Sequence, residues 1–390
     1  MKKNVFKKAF AVAMSVMMVG AFMTGCGSKS GSDENVLVIG GSGPLTGDYS
    51  TYGISVKQGA ELAVKEINEA GGVNGTEFKL VFEDDMADPT SAASAYATMA
   101  DNGMQVSLGA TTSGACLTAV AEAEKDGILV VTPSASQVEC AAPENVFRIC
   151  FTDPLQGAYA AQVIKEKNIG TKVAVIYDSS SSYSSGIYEN FAKEAKAEAI
   201  EIVATGSFTA DNNTDFSVQL QDAKNNGAEL VFLPVYYQQA CIILKQAADM
   251  QYAPTFFGCD GLDGILGVDG FDTALAEGVM LLTPFAADDM AKATQDFVSK
   301  YEDAYKATPS QFAADAYDAV YVIKAAAEAA EITADMSASD ICDALVEQMK
   351  TIEVEGITSV EGVPMKWDEN GMVDKAPKAV IITDGAYKAM

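Results

Sequence analysis

The sequence predicts an α/β protein: two doubly wound, Rossmann-like lobes around a ligand cleft. Three observations carry this reading. Strand-like apolar segments alternate with segments of helical periodicity along the chain. The alternation begins afresh near residue 154. The 390 residues, at roughly 100–200 per domain, provide for two or three units. Hydrophobic residues make up 49% and charged residues 21%, a globular balance that rules out disorder and collagen-like repeats.

The elements follow in order. MKKNVFKK carries four lysines and precedes the uncharged run AFAVAMSVMMVGAFM. A basic start, a short apolar run and small residues describe a secretory signal over 1–25, too short for a membrane span. GSKSGSDEN then makes a flexible tether, 26–34 counting from Cys26. VLVIGG (36–41) reads as a buried strand. The helical spacing of 54–70 ends at Gly71-Gly72, a C-cap pair. FKLVFEDD, a helix through 90–101, VSLGA, a helix through 114–126, ILVVTPS and NVFRICFT complete the first series. The second runs from a helix at 156–168 through KVAVIYD, a helix at 185–198, IEIVATGSF, a helix at 214–226, ELVFLPV, a helix at 238–250, TFFGCD and GVMLLTPF. Helical stretches at 289–306, 310–330 and 339–350 follow. VPMKWDENG reads as a hairpin and KAVIIT as a last strand.

Ligands of parallel sheets bind beyond the carboxyl ends of strands. That rule alone selects Ser42–Tyr52, Gly109–Ser113, Pro133–Ser136, Thr152–Asp153, Asp178–Tyr183, Pro234–Tyr237 and Gly258–Gly261. Gly41-Ser42-Gly43 is no dinucleotide fingerprint, because Pro44 follows and no helix starts there. These glycines serve a loop that carries Tyr49 and Tyr52 toward the cleft.

Composition removes whole classes of function. Asp+Glu is 54 against 26 Lys+Arg, a net charge of -28, which repels a phosphate backbone and argues against nucleic acid. There is no histidine, hence no histidine base, triad or metal ligand. Arg148 is the only arginine. It lies inside a strand, where a buried ion pair with an acid is the expected role. Cysteines 116, 140, 150, 241, 259 and 342 form no C-x-x-C, so zinc is not expected. One bridge among Cys116, Cys140 and Cys150 is the expectation, with free buried thiols as the alternative. No cofactor and no metal is implied.

The post-strand segments also carry a family resemblance. GGSGPLTGDYSTYG, INEAGGVNG, EDDMADP, LGATTSGACL, ILVVTPSAS, NVFRICFTDPLQG, YDSSSSYSSG, FFGCDG and ADAYDAVYVIKAA occur in order over about 35–385. Together they resemble a type I periplasmic binding protein of the leucine/isoleucine/valine-binding branch, the solute receptors of amino-acid ABC importers. Met23-Thr24-Gly25-Cys26 resembles a lipoprotein signal, cut before Cys26 with that residue acylated. The alternative is an ordinary secreted protein with a chance cysteine.

The resemblance assigns roles residue by residue. Thr111-Thr112-Ser113-Gly114 ends a strand and opens a helix, where Ser113 matches the carboxylate-binding serine. As a bare pattern it is a helix N-cap, and a helix N-terminus itself favours a carboxylate. Ser134 matches a backbone carbonyl that accepts from the ligand ammonium, and Ser136 a hydroxyl and N–H that donate to its carboxylate. Ser136 is usually Thr in the family. Asp260 matches the acid that pairs with the ammonium, usually Glu, with Asp153 the next candidate. Tyr52, Tyr183 and Tyr236 follow strands and face the cleft, although packing alone explains many such tyrosines. Thr111 replaces a larger apolar residue of the branch.

The expectation is therefore an anchored extracytoplasmic receptor, a monomer, with a small amino acid and ABC permease subunits as partners. Crossings near Asp153, Pro284 and Asp374 divide it into 35–153 plus 284–373 and 154–283 plus 374–390. The membrane is met through the lipid alone. Two other readings stay open: a sensor of the same fold, and an exported serine amidohydrolase using Ser113. The latter lacks a base, since Lys125 is a helix away.

Overall fold

The computed structural model describes residues 35–360 and 362–390. The signal segment, Cys26 and the tether lie outside the described residues. Strands β1 (Val36–Gly43), β2 (Glu77–Asp84), β3 (Val106–Ala110), β4 (Leu129–Thr132) and β5 (Val146–Arg148) form a parallel sheet in the order β2-β1-β3-β4-β5. Helices α1 (Ser50–Glu69), α2 (Pro89–Asp101) and α3 (Ser113–Asp126) connect its first four strands. Every residue of β3 and β4 is buried, as a sheet covered on both faces requires.

The second sheet runs β12-β11-β10-β9-β8-β6-β7. It takes β6 (Lys172–Asp178), β7 (Glu201–Phe208), β8 (Leu230–Leu233), β9 (Thr255–Gly258) and β10 (Met280–Thr283) in parallel. Its helices are α4 (Asp153–Glu166), α5 (Ser182–Ala197), α6 (Ser217–Asn225) and α7 (Tyr237–Asp249). The chain then returns to the first lobe as α8 (Lys292–Tyr305), α9 (Gln311–Ala329) and α10 (Ala338–Met349), with α9 packed along α1. It ends in β11 (Lys378–Thr383) and β12 (Ala386–Ala389), an antiparallel pair on the edge of the second sheet. The two-lobed α/β fold expected from the alternation is present.

Local chemistry sets the boundaries. Asp88 caps α2, accepting the Ser91 N–H, with Pro89 opening the helix. Thr152 caps α4 in the same way ahead of Asp153-Pro154. Gly127 ends α3 at φ 63°, a left-handed position that suits glycine. The strand read from NVFRICFT is shorter than expected, because only Val146–Arg148 pairs before the chain leaves the sheet. β12 is unanticipated. It follows a tight turn at Asp384-Gly385, both at positive φ. The 360–373 segment holds antiparallel bridges Val360–Val363 and Trp367–Val373 rather than a full hairpin.

Two charged expectations need correction or addition. Arg148 is fully buried but, among the described residues, forms no ion pair. Its Nη1 donates to the carbonyls of Ala135 and Ser136 at 3.1 and 2.8 Å, and its Nη2 to those of Gln137 and Val138 at 2.9 and 3.0 Å. Four carbonyls take the donors of Nη1 and Nη2 in place of an acid, while the buried Nε has no hydrogen-bond partner among the described residues. The buried pair belongs instead to Lys375 and Asp315, 2.8 Å apart. Lys375 also donates to the Ile149 carbonyl at 3.1 Å and to the Thr358 hydroxyl. The six cysteines are all free and buried, so no bridge forms among Cys116, Cys140 and Cys150; they pack as small apolar residues.

Candidate functional site

Eight of the nine cleft residues expected from the sequence line one cavity: Tyr52, Thr111, Ser113, Ser134, Ser136, Tyr183, Tyr236 and Asp260. Thr112, Gly261 and Phe312 complete it. Asp153 lies outside that lining, next to Ser136, whose carbonyl accepts the Asp153 N–H at 3.1 Å. Phe312 follows no strand, so the carboxyl-end rule could not find it; it stands at the start of α9 and reaches Tyr52, ring centroids 4.5 Å apart.

The first lobe contributes a wall of hydroxyls. Thr112, not Ser113, occupies the N-cap position of α3, and it makes no side-chain cap. Its buried hydroxyl oxygen has no hydrogen-bond partner. Ser113 Oγ accepts the Gln137 N–H at 3.3 Å and keeps its own proton to donate. Two other hydroxyls are committed to backbone. Thr111 donates to the Ser42 carbonyl at 3.0 Å, and Ser134 to the Thr111 carbonyl at 2.7 Å. The free donors on this wall are therefore few and gather at the helix N-terminus, where partial positive charge favours an anion.

The second lobe contributes an acid among tyrosines. Asp260 is 5% exposed. Tyr183 donates its hydroxyl to Asp260 Oδ1 at 2.6 Å and accepts the Gly261 N–H at 3.0 Å. Asp260 N–H donates to Gln156 at 3.0 Å, and the Asp260 carbonyl accepts from Gln311 of α9 at 2.8 Å. Burial pushes the carboxyl up to about 6, against the pull of the Tyr183 and Gln156 hydrogen bonds. Asp153 is also buried, and burial pushes its carboxyl well above the usual range. Neither Asp153 oxygen makes a hydrogen bond, although the nearby Ser136 hydroxyl opposes the shift. Gln156 and Gln311, which hold Asp260 in place, carry no sequence signal that would have singled them out.

The lobes meet over this cavity. Tyr52 of α1 donates to the Gly261 carbonyl and accepts the Tyr237 N–H at 3.2 Å. Tyr237 returns the contact by accepting the Thr51 N–H at 3.2 Å, and Gln239 donates to the Tyr49 hydroxyl at 2.8 Å. Tyr236 stacks on Tyr183 at 4.9 Å and stands edge-on to Tyr52 at 5.5 Å. A Cβ on residue 261 would lie 2.6 Å from the Tyr183 hydroxyl oxygen, so glycine is required there. The cavity left inside is about 10 Å³, room for about one water.

Comparison with known proteins places the arrangement. Residues 36–376 match the family model described as Periplasmic binding protein. The chain belongs to the periplasmic binding protein family. A Leu/Ile/Val-binding protein homolog 3 of Brucella melitensis is 32% identical over 77% of this chain and 81% of its own. The leucine-, isoleucine-, valine-, threonine-, and alanine-binding protein of Pseudomonas aeruginosa is 30% identical over 72% of this chain and 75% of its own. A branched-chain amino acid transporter substrate binding protein of Streptococcus pneumoniae, solved with isoleucine, is 29% identical. It superposes with a TM-score of 0.82 over 91% of this chain and 98% of that chain.

A periplasmic binding protein works outside the cytoplasm, and among the described residues no helix is long and apolar enough to cross a membrane. The family binds solutes for transport rather than transforming them. Lys125, at the far end of the helix that Ser113 opens, is exposed and paired with Glu122 at 2.7 Å, away from the Ser113 hydroxyl.

Proposed function

We propose that the protein is the lipid-anchored solute receptor of an ABC importer, capturing a small aliphatic amino acid between its lobes and presenting it to the permease. The observation that carries this is the opposition of two unlike walls across one cavity. One holds a helix N-terminus and hydroxyls, the other a buried acid. An α-amino acid presents a carboxylate and an ammonium to match them. In this reading Ser113 and Ser136 take the carboxylate, and Asp260 with the Ser134 carbonyl takes the ammonium. Tyr52, Tyr183, Tyr236 and Phe312 enclose the side chain. Thr111 narrows the side-chain end, and Asp153 is a reserve acid. The ligands in the relatives' names support an aliphatic side chain, as does the aromatic wall.

A cavity of about 10 Å³ admits no amino acid until the lobes part. Capture therefore proceeds by opening and reclosure about the connections near Asp153, Pro284 and Asp374, with 35–153 plus 284–373 moving against 154–283 plus 374–390. No covalent step is involved, and the receptor acts as a monomer. Thermal-shift titration against the twenty amino acids tests the ligand class: leucine, isoleucine, valine, threonine or alanine should raise the melting temperature. A response confined to acidic or basic amino acids would exclude the aliphatic reading. For the anchor, wild type should incorporate labelled fatty acid and Cys26→Ala should not; equal labelling of both would refute it.

A further inference from the structure

Beside the amino-acid cavity lies a second and much larger one, about 670 Å³, within the size range of small-molecule sites. The two share no lining residue. α1 divides them, turning Tyr52 toward one and Thr51, Ile54 and Ser55 toward the other. Both lobes contribute walls, with Val298 and Pro309 facing Leu266 and Leu281 across an apolar interior.

Its polar equipment is unbalanced. Asp263, 5% exposed, reaches it from the second lobe. Asp263 Oδ2 accepts the Gln311 N–H of α9 at 2.8 Å, but Oδ1 makes no hydrogen bond. Burial pushes this carboxyl up to about 6, against the Gln311 N–H and the nearby Tyr387 hydroxyl. The buried Ser310 hydroxyl, on the same cavity, also has no partner. Asp288 and Glu302 add two further acids, and the one cation of the lining, Lys388, already lies 3.9 Å from Asp288. A buried acid with an unbonded oxygen beside an apolar, acid-rich space is stabilised by a cation that brings apolar surface with it.

We propose that this cavity is a second ligand site, for an apolar primary amine whose ammonium pairs with the Asp263 carboxylate beside Ser310, a turn of the Asp263 side chain bringing its unbonded Oδ1 to the cavity. A free amino acid is disfavoured here, because its carboxylate would face Asp288 and Glu302. The Asp263–Gln311 hydrogen bond already joins the lobes, so an amine seated on it favours the closed arrangement. Occupancy should then strengthen amino-acid binding, and the amino acid should strengthen amine binding by the same factor. This coupling rests on the proposed amino-acid function; the amine site itself does not.

Calorimetric titration with phenethylamine and isoamylamine, with phenylalanine as the carboxylate-bearing control, tests the site. Asp263→Asn keeps an acceptor for Gln311 and removes the charge. Ile54→Trp fills the cavity from a partly exposed position. Wild type should bind both amines, each variant should weaken them by about tenfold or more, and Asp260→Asn should leave them within about twofold. No binding by wild type would overturn the proposal. So would amine binding lost in Asp260→Asn but kept in Asp263→Asn and Ile54→Trp, since the amine would then occupy the amino-acid site.

Discussion

The two walls of the amino-acid cavity are built by opposite strategies. The first-lobe wall holds no charged side chain; its positive character comes from a helix N-terminus, free hydroxyls and, behind the loop, Arg148 spread over four carbonyls. The second-lobe wall concentrates one full charge on Asp260, steadied by Tyr183, Gln156 and Gln311. The contrast teaches that a dispersed site loses little when any one donor is removed, whereas a concentrated one fails with a single substitution. Support for the dispersed wall lies one layer deeper, so there the costly residue is one that a ligand need never touch.

The largest effect should come from that deeper layer. Arg148→Met leaves four carbonyls without their donor, those of Ala135 and Ser136 buried and those of Gln137 and Val138 half-buried, at about 1–3 kcal/mol for each that water cannot reach. Denaturant unfolding should show a loss of at least about 3 kcal/mol, with Arg148→Lys intermediate. A change below about 1 kcal/mol would mean that the 135–138 loop holds its shape unaided.

Next in size is Asp260→Asn. Removing one partner of a desolvated charge pair costs about 2–5 kcal/mol, so the best amino acid should bind at least roughly thirtyfold more weakly. The empty variant should melt no lower than wild type, because the charge removed is disfavoured by burial. Binding within about threefold of wild type would move the ammonium elsewhere, with Asp153 first in line.

The pH dependence separates stability from affinity. Asp260, Asp263 and Asp315 are each raised to about 6. Between about pH 4 and 6 the folded protein keeps protons that the unfolded chain has released. The contribution of these groups to stability is therefore full below about 4 and lost as pH rises through about 6. An ammonium needs Asp260 ionised, so affinity should run the other way, weakening about tenfold per unit below pH 6 and levelling above it. Melting curves of the empty protein and calorimetry at pH 5 and 7 read the two trends; parallel trends would contradict the assignment of Asp260.

The smallest effects fall on single hydroxyls. Ser136→Ala should cost about 0.5–1.5 kcal/mol, a few-fold to about tenfold in affinity. Ser134→Ala should weaken binding less, because its hydroxyl already serves the Thr111 carbonyl. If Ser136→Ala equals Asp260→Asn in effect, the distinction between dispersed and concentrated walls collapses.

Much of this was legible in the sequence because it depends on local rules. The carboxyl ends of strands located Ser113, Ser136, Tyr183 and Asp260, since parallel β-α units bring those loops together regardless of detail. Partnership was less legible. Arg148 reads as half of an ion pair from its burial in a strand, yet its acceptors are carbonyls of a loop ten to thirteen residues upstream. Phe312 and Gln311 enter the site from a helix start that no strand precedes. β12 escaped notice because four residues after a tight turn carry too little periodicity to read.

The Lys375–Asp315 pair has a mechanical consequence. Lys375 bonds at once to the Ile149 carbonyl, at the start of one connection between the lobes, and to α9, while itself sitting at the start of another. Two of the three connections proposed between the lobes are thereby riveted together at one point and to α9. In the opening proposed above, rotation would begin beyond that rivet, about an axis fixed by it, while the connection after β10 takes up the slack. Buried charges are little screened by salt, so the axis should stay in place across ionic strengths that would loosen any surface latch.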